Sequence, residues 1–183
     1  MNQTTNGTSY LRLMIRTLTH PAGAFQEVRA MSVGTVLVYG LGIVVFNLLM
    51  TVLLSMTTGF TPDILLPVAI SSILVVCLGG FWLHLFVYGL GGRSGVGSTF
   101  TVVVLGLTPT ALLGWIPGIA LVGFLWSFVI LYFGLQELQE FSKGEAALAL
   151  VLVFGIPLLV LAVLAVTPGY SVFWLAPGRI TWV

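Results

Sequence analysis

The chain has 183 residues, of which 58% are hydrophobic and only 6% charged, with six Lys or Arg against five Asp or Glu for a net charge of +1. Soluble domains carry about 25% charged residues, so this composition cannot build a water-facing surface, and without a basic run it lacks the electrostatic footprint of a nucleic-acid binder. Cys77, the single cysteine, excludes an intramolecular disulfide and any cysteine-cluster metal site.

Residues 1–9 are polar and rich in Asn, Thr and Gly, too poor in apolar surface to offset the entropy of ordering, and are read as a flexible tail. The glycosylation-type triplets at Asn2 and Asn6 fall in this segment and are read as chance. Residues 10–32 form the next unit. From Tyr10 to Thr19, Leu11, Met14, Ile15 and Leu18 recur at helical spacing while Arg12 and Arg16 share another face, the pattern of a short amphipathic helix. Two placements satisfy it: in the headgroup layer with the arginines near lipid phosphates, or across the cytoplasmic end of a bundle. Pro21 interrupts, and a second short helix with Phe25, Val28 and Met31 leads on. Arg12, Arg16 and Phe25 are the candidate interfacial residues. About thirty residues precede the first long apolar run, which is therefore a membrane anchor and not a signal peptide.

Five apolar runs follow, each long enough to cross a hydrocarbon core of about 30 Å. They cover Gly34–Thr57, Ile64–Leu90, Ser98–Trp115, Pro117–Gln136 and Ala146–Val166. A turn at Thr61-Pro62-Asp63 joins the first pair, and a glycine-rich loop with Arg93 joins the second and third. At Trp115-Ile116-Pro117-Gly118 the chain reverses tightly, with Pro117 placed to start the fourth helix, and Gln136–Glu145 forms the one truly polar loop. The alternative is a re-entrant pair formed by the third and fourth runs. The expected fold is thus all-α: a five-helix transmembrane bundle over residues 33–167, preceded by short amphipathic interfacial helices and followed by a short external tail, 168–183. With the amino terminus inside, Arg12, Arg16, Arg29, Arg93 and Lys143 are cytoplasmic and only Arg179 is external, as the positive-inside rule favours. The expected location is the cell membrane.

Candidate chemistry is sparse. Gly92 to Thr99 has the glycine spacing of a phosphate-binding loop, but Ser98 stands where the lysine belongs and no strand precedes it, so a turn between spans is the better reading. His84 lies within the second run, where an ionisable side chain is a functional candidate. Cys77 and Phe81 share its helical face, but no membrane carboxylate accompanies it, which favours a structural histidine over a proton relay. Asn47 is placed to hydrogen-bond between helices, a contribution of about 1 kcal/mol. Pro109, beside Thr108, and Pro157 each remove a backbone donor mid-helix and free a carbonyl that Thr108 or a neighbour would satisfy. Paired interruptions can mark a transport site, and packing kinks produce the same pattern. Glycines 40, 42, 79, 80, 106, 114 and 134 allow close helix approach. A nucleophile with its base, an acid pair and a metal set cannot be assembled, so no enzyme activity and no cofactor are expected.

The order of these features resembles the Yip-domain family, multi-pass membrane proteins named for interaction with Ypt/Rab GTPases. The resemblance rests on His20-Pro21 and Phe25 before the first run, Gly91-Gly92, and the Leu107-Thr108-Pro109 step. It continues through Gly134-Leu135-Gln136-Glu137 and Ser142-Lys143-Gly144-Glu145-Ala146, and covers about residues 15–167. It implies five spans with a cytoplasmic amino terminus and, in eukaryotic relatives, a role in membrane trafficking and shaping through protein partners. The long soluble amino-terminal region of those relatives does not precede the motifs here, so GTPase binding is not expected. The expected role is a non-enzymatic membrane organiser or adaptor whose partners are membrane lipids, another membrane protein or further copies of itself. The alternative is a small transporter, channel or lipid-translocating protein.

Overall fold

A computed structural model describes residues 7–58, 63 and 65–167. Eight helices occur among the described residues: α1 (Gly7–Thr19), α2 (Pro21–Val28), α3 (Val33–Thr58), α4 (Leu65–Gly89), α5 (Gly95–Gly106), α6 (Thr108–Leu113), α7 (Ala120–Gln139) and α8 (Lys143–Val166). Five stretches are long and apolar enough to cross a membrane: α3, α4, α5 continuing into α6, α7, and α8. Residues 1–6 of the expected flexible tail, the whole expected external tail 168–183 with Arg179, and the turn at Thr61-Pro62 lie outside the described residues.

Several boundaries differ from the sequence reading. Helix α1 begins at Gly7 and takes in three residues assigned to the tail. Pro117 does not start a helix; it sits in a turn that Gly118 closes with φ 85°, and α7 begins at Ala120. Helix α7 then runs on to Gln139, and the polar loop contracts to residues 140–142. The cause is local: the Ser142 side chain accepts from the Glu145 backbone N–H while the Glu145 carboxylate accepts from the Ser142 N–H, a capping box that starts α8 at Lys143. Glu140 turns the chain between the two helices with φ 59°, a left-handed conformation.

Spans α5–α6 and α7 form the centre, packed antiparallel through small residues. A Cβ on Gly106 would lie 2.4 Å from Leu131 Cδ2, and one on Gly123 would lie 2.8 Å from the Pro109 carbonyl oxygen. Lipid supplies no hydrophobic drive between helices, so dispersion at such close approaches holds the pair together. Gly40 and Gly80 make similar notches for Val104 and Phe100, whereas Gly42 and Gly79 face open space.

Around that pair, α3, α4 and α8 pack over only half their length. Their buried hydrophobic side chains are Val36, Tyr39 and Ile43 of α3, Leu83 and Val87 of α4, and Ala146, Ala149 and Val153 of α8. All lie toward the end of the bundle that carries Gly92, Gln139 and Lys143, here called the proximal end. Beyond them, Leu49, Leu53 and Met56 of α3, Leu66, Ile70 and Ile73 of α4, and Leu158, Leu161 and Val166 of α8 are exposed. That uncovered apolar surface suits hydrocarbon and no aqueous setting.

Candidate functional site

The α1–α2 hairpin is packed against the flank of the bundle and not across its end. Phe25 is completely buried, its ring in a notch at Gly134, where an added Cβ would lie 2.6 Å from Phe25 Cζ and 2.9 Å from Val102 Cγ1. Deeper along α7, the Trp126 indole N–H donates to the Leu18 carbonyl of α1 at 3.0 Å. Trp126 lies thirteen residues before Gln139, about 20 Å along the helix axis at ~1.5 Å per residue. Tyr10 packs beside Tyr39, six residues into α3, with ring centroids 6.4 Å apart. Nearer the proximal end, Gln26 donates to the Glu137 carboxylate at 3.3 Å, and the Arg29 guanidinium donates to the Glu137 carbonyl. The hairpin thus lies alongside the spans through the proximal half of the bundle.

The α1 face that does this is not the Leu11, Met14, Ile15, Leu18 stripe read from periodicity. Leu13 and Thr17 are buried, with Tyr10 and Met14 packed beside them, while Leu11 and Ile15 are exposed. Thr17 scores as polar, yet its hydroxyl donates to the Leu13 carbonyl at 2.8 Å and so enters the core without an unmet hydrogen bond. Of the interfacial candidates, Arg12 is exposed, whereas Arg16 forms an ion pair with Glu27 that clasps α1 to α2. Periodicity alone gave no signal for Glu27 as that partner.

The remaining candidates separate into distinct interhelical seams. His84 Nδ1 lies 2.9 Å from the hydroxyl of Thr99, which is fully buried and also accepts from Gln139 Nε2 at 3.0 Å. Gln139 Oε1 in turn accepts the Ser94 backbone N–H at 3.3 Å. One polar chain therefore joins α4, α5 and α7 near the proximal end, and two of its members, Thr99 and Gln139, carried no signal in the sequence. Cys77 and Phe81 do not join His84: Cys77 is exposed and Phe81 stacks edge-on against Phe100 at 5.2 Å. Asn47 Nδ2 donates to the Ala111 carbonyl of α6 at 2.9 Å. Thr108, buried, donates to the Val104 carbonyl at 3.4 Å and meets the Tyr39 hydroxyl at 3.1 Å.

The two prolines behave differently from each other. Pro109 is buried at the junction of α5 and α6, where Leu107 leaves regular helix geometry for one residue. Pro157 does not break its helix, since α8 is continuous from Lys143 to Val166, and its side chain is exposed. The carbonyl it leaves without an intrahelical donor belongs to Val153, four residues earlier. Trp82 of α4 fills that vacancy, its indole N–H donating to the Val153 carbonyl at 2.9 Å.

A hollow of about 450 Å³ lies between α3 and α4 and is floored by α5 and α6; its lining includes Asn47, Ser72, Cys77 and Leu107 but not His84, Pro109 or Pro157. His84, Pro109 and Pro157 therefore do not join Asn47 on this hollow. No cluster of three or more His, Cys, Asp or Glu able to hold a metal occurs among the described residues.

One known family model, the Yip1 domain, matches residues 15–165, a range that takes in the end of α1, all of α2 to α7 and nearly all of α8. The chain belongs to the Yip1 domain family. It is accordingly a multi-pass membrane protein of a non-catalytic family. Comparisons with curated proteins and with solved structures each gave no significant match.

Proposed function

We propose that this Yip1-domain protein is a non-enzymatic membrane organiser that acts on the bilayer through its own uneven cross-section. The observation that carries the reading is the docking of α1 and α2 beside the spans at Gly134 and Trp126. It adds two helical segments to one half of the molecule only. The same half holds the buried residues of α3, α4 and α8, while in the other half these three apolar helices have little protein packed against them. A body wider in one leaflet than the other favours curvature toward its wider side, by the same displacement that lets an interfacial amphipathic helix sense or create curvature. The distribution of Lys and Arg supports placing the wider half in the cytoplasmic leaflet, with the amino terminus cytoplasmic and the carboxyl terminus external. Lipids are then the primary partners, and the exposed faces of α3, α4 and α8 offer surface for a membrane-protein partner or a second copy.

A transport reading draws less support. Asn47, Thr108 and His84 spend their hydrogen bonds on neighbouring helices, and Pro157 faces outward. The deciding experiment reconstitutes the purified chain into large vesicles of neutral phospholipid and measures vesicle diameter by electron cryomicroscopy as the protein-to-lipid ratio rises. The expected result is a progressive shift to smaller or tubular vesicles, weakened by Gly134→Val, which displaces Phe25. A diameter distribution identical to that of protein-free vesicles at every ratio overturns the proposal.

A further inference from the structure

The hollow between α3 and α4 has walls of two kinds. Small side chains, Ala69, Ser72 and Cys77 of α4, create the space, and Leu48 of α3 with Leu107 of the floor give it an apolar surface. Most of the few polar side chains on its lining already bond to protein. Asn47 donates to Ala111, Ser72 to the Val68 carbonyl at 2.8 Å, Ser71 to the same carbonyl at 3.0 Å, and Thr110 meets the Ser127 hydroxyl at 2.7 Å. A polar solute would lose its hydration and find little to replace it.

Its size narrows the occupant further. The volume is about 450 Å³, and the groove is open along one side to the surrounding medium. That volume lies within the range of about 300–1,000 Å³ typical of small-ligand sites. The hollow is bounded by membrane spans at the depth of Asn47 and Val76, well inside α3 and α4, where the surrounding medium is hydrocarbon.

We infer that this groove is a binding site for one acyl chain of a bilayer phospholipid, held between α3 and α4 against the α5–α6 floor. The site is separate from the α1–α2 hairpin and does not depend on the curvature reading. A retained chain supplies the dispersion contacts that α3 and α4 do not give each other across the hollow.

The test uses the full chain in vesicles containing phosphatidylcholine with a photoreactive diazirine in one acyl chain, followed by photolysis and peptide mapping. Adducts are expected to concentrate on groove-lining residues 44–48 and 69–77, severalfold above those on the equally apolar Leu158–Val166 face of α8. Ser72→Phe, and independently Ala69→Leu, fill the hollow and are expected to reduce the groove adducts severalfold while labelling of α8 stays constant. Unchanged hydrogen exchange across α5 and α7 shows that each variant is folded, and a variant that fails this control is replaced in the comparison by the other. Even labelling of groove and α8 overturns the inference in favour of ordinary lipid contact. Protection of the groove together with a disulfide between Cys77 residues of two copies overturns it in favour of self-association.

Discussion

The Trp82 indole donates its hydrogen to the Val153 carbonyl, so a residue of α4 repairs the gap that Pro157 makes in the hydrogen-bond ladder of α8. In hydrocarbon an unpaired carbonyl has no water to turn to. Trp82→Phe keeps most of the ring packing but orphans that carbonyl, and the expected loss of stability is about 1–3 kcal/mol. Pro157→Ala restores the intrahelical donor and should return most of that loss in the double variant. Unfolding titrations in mixed detergent micelles measure both; a double variant no more stable than Trp82→Phe alone removes the connection.

The Arg16–Glu27 pair reports on the medium around the hairpin. Its side chains are 37% and 28% exposed; in water such a pair contributes only about 0–1 kcal/mol and weakens with salt. Beside the spans, removing one partner strands a charge in a poorly solvating environment, at a cost of up to about 3–5 kcal/mol. Arg16→Gln and Glu27→Gln alone are therefore expected to destabilise hairpin docking more than the two together do. Hydrogen exchange over α2 in nanodiscs supplies the reading at low and high salt. Additive effects that vanish at high salt would place the hairpin in water.

Gly134 and Gly42 form a matched pair for separating close packing from mere helix propensity. A side chain at Gly134 meets Phe25 and Val102 at 2.6 and 2.9 Å, whereas one at Gly42 meets nothing within 4 Å. Gly134→Val is expected to cost about 1–3 kcal/mol through overpacking and to raise protease access at α2. Gly42→Val should leave both unchanged. Equal effects at the two positions would show that the Phe25 notch does not hold the hairpin.

Much of the architecture was legible because bilayer thickness fixes how long an apolar run must be, and composition reveals such runs without knowing what they touch. Asn47 was legible for a related reason, since an amide in a span must find a partner, and Ala111 supplies it. The start of α8 was placed three residues late although the signal was present: Ser142 followed three residues later by Glu145 marks a helix start. Other features had no such signal. That Glu27 faces Arg16, that Thr99 joins His84 to Gln139, and that Trp82 is the neighbour that answers Pro157 all depend on the rotation and depth at which one helix meets another. Apolar runs with polar residues at few positions leave that register open, and only side-chain packing decides it. Thr17 fell outside the apolar stripe because periodicity ignores the bond its hydroxyl makes to its own helix.

Thr99 offers the sharpest contrast among the polar seams. Its hydroxyl is shared by His84 Nδ1 at 2.9 Å and Gln139 Nε2 at 3.0 Å, so Thr99→Val, nearly unchanged in shape, withdraws one partner from each of two side chains. Asn47→Leu, by comparison, removes a single donor and its expected cost is about 1 kcal/mol. For Thr99→Val the expected cost is about 1–3 kcal/mol, the penalty of leaving buried polar atoms unmatched. The double change Thr99→Val with Gln139→Leu eliminates one orphan and should be no worse than Thr99→Val alone. Detergent unfolding ranks the variants, and imidazole nitrogen chemical shifts report whether His84 changes its hydrogen bonding. Unaltered His84 shifts in Thr99→Val would mean that the histidine does not depend on this hydroxyl, and the three-helix seam would then reduce to the contact between α5 and α7.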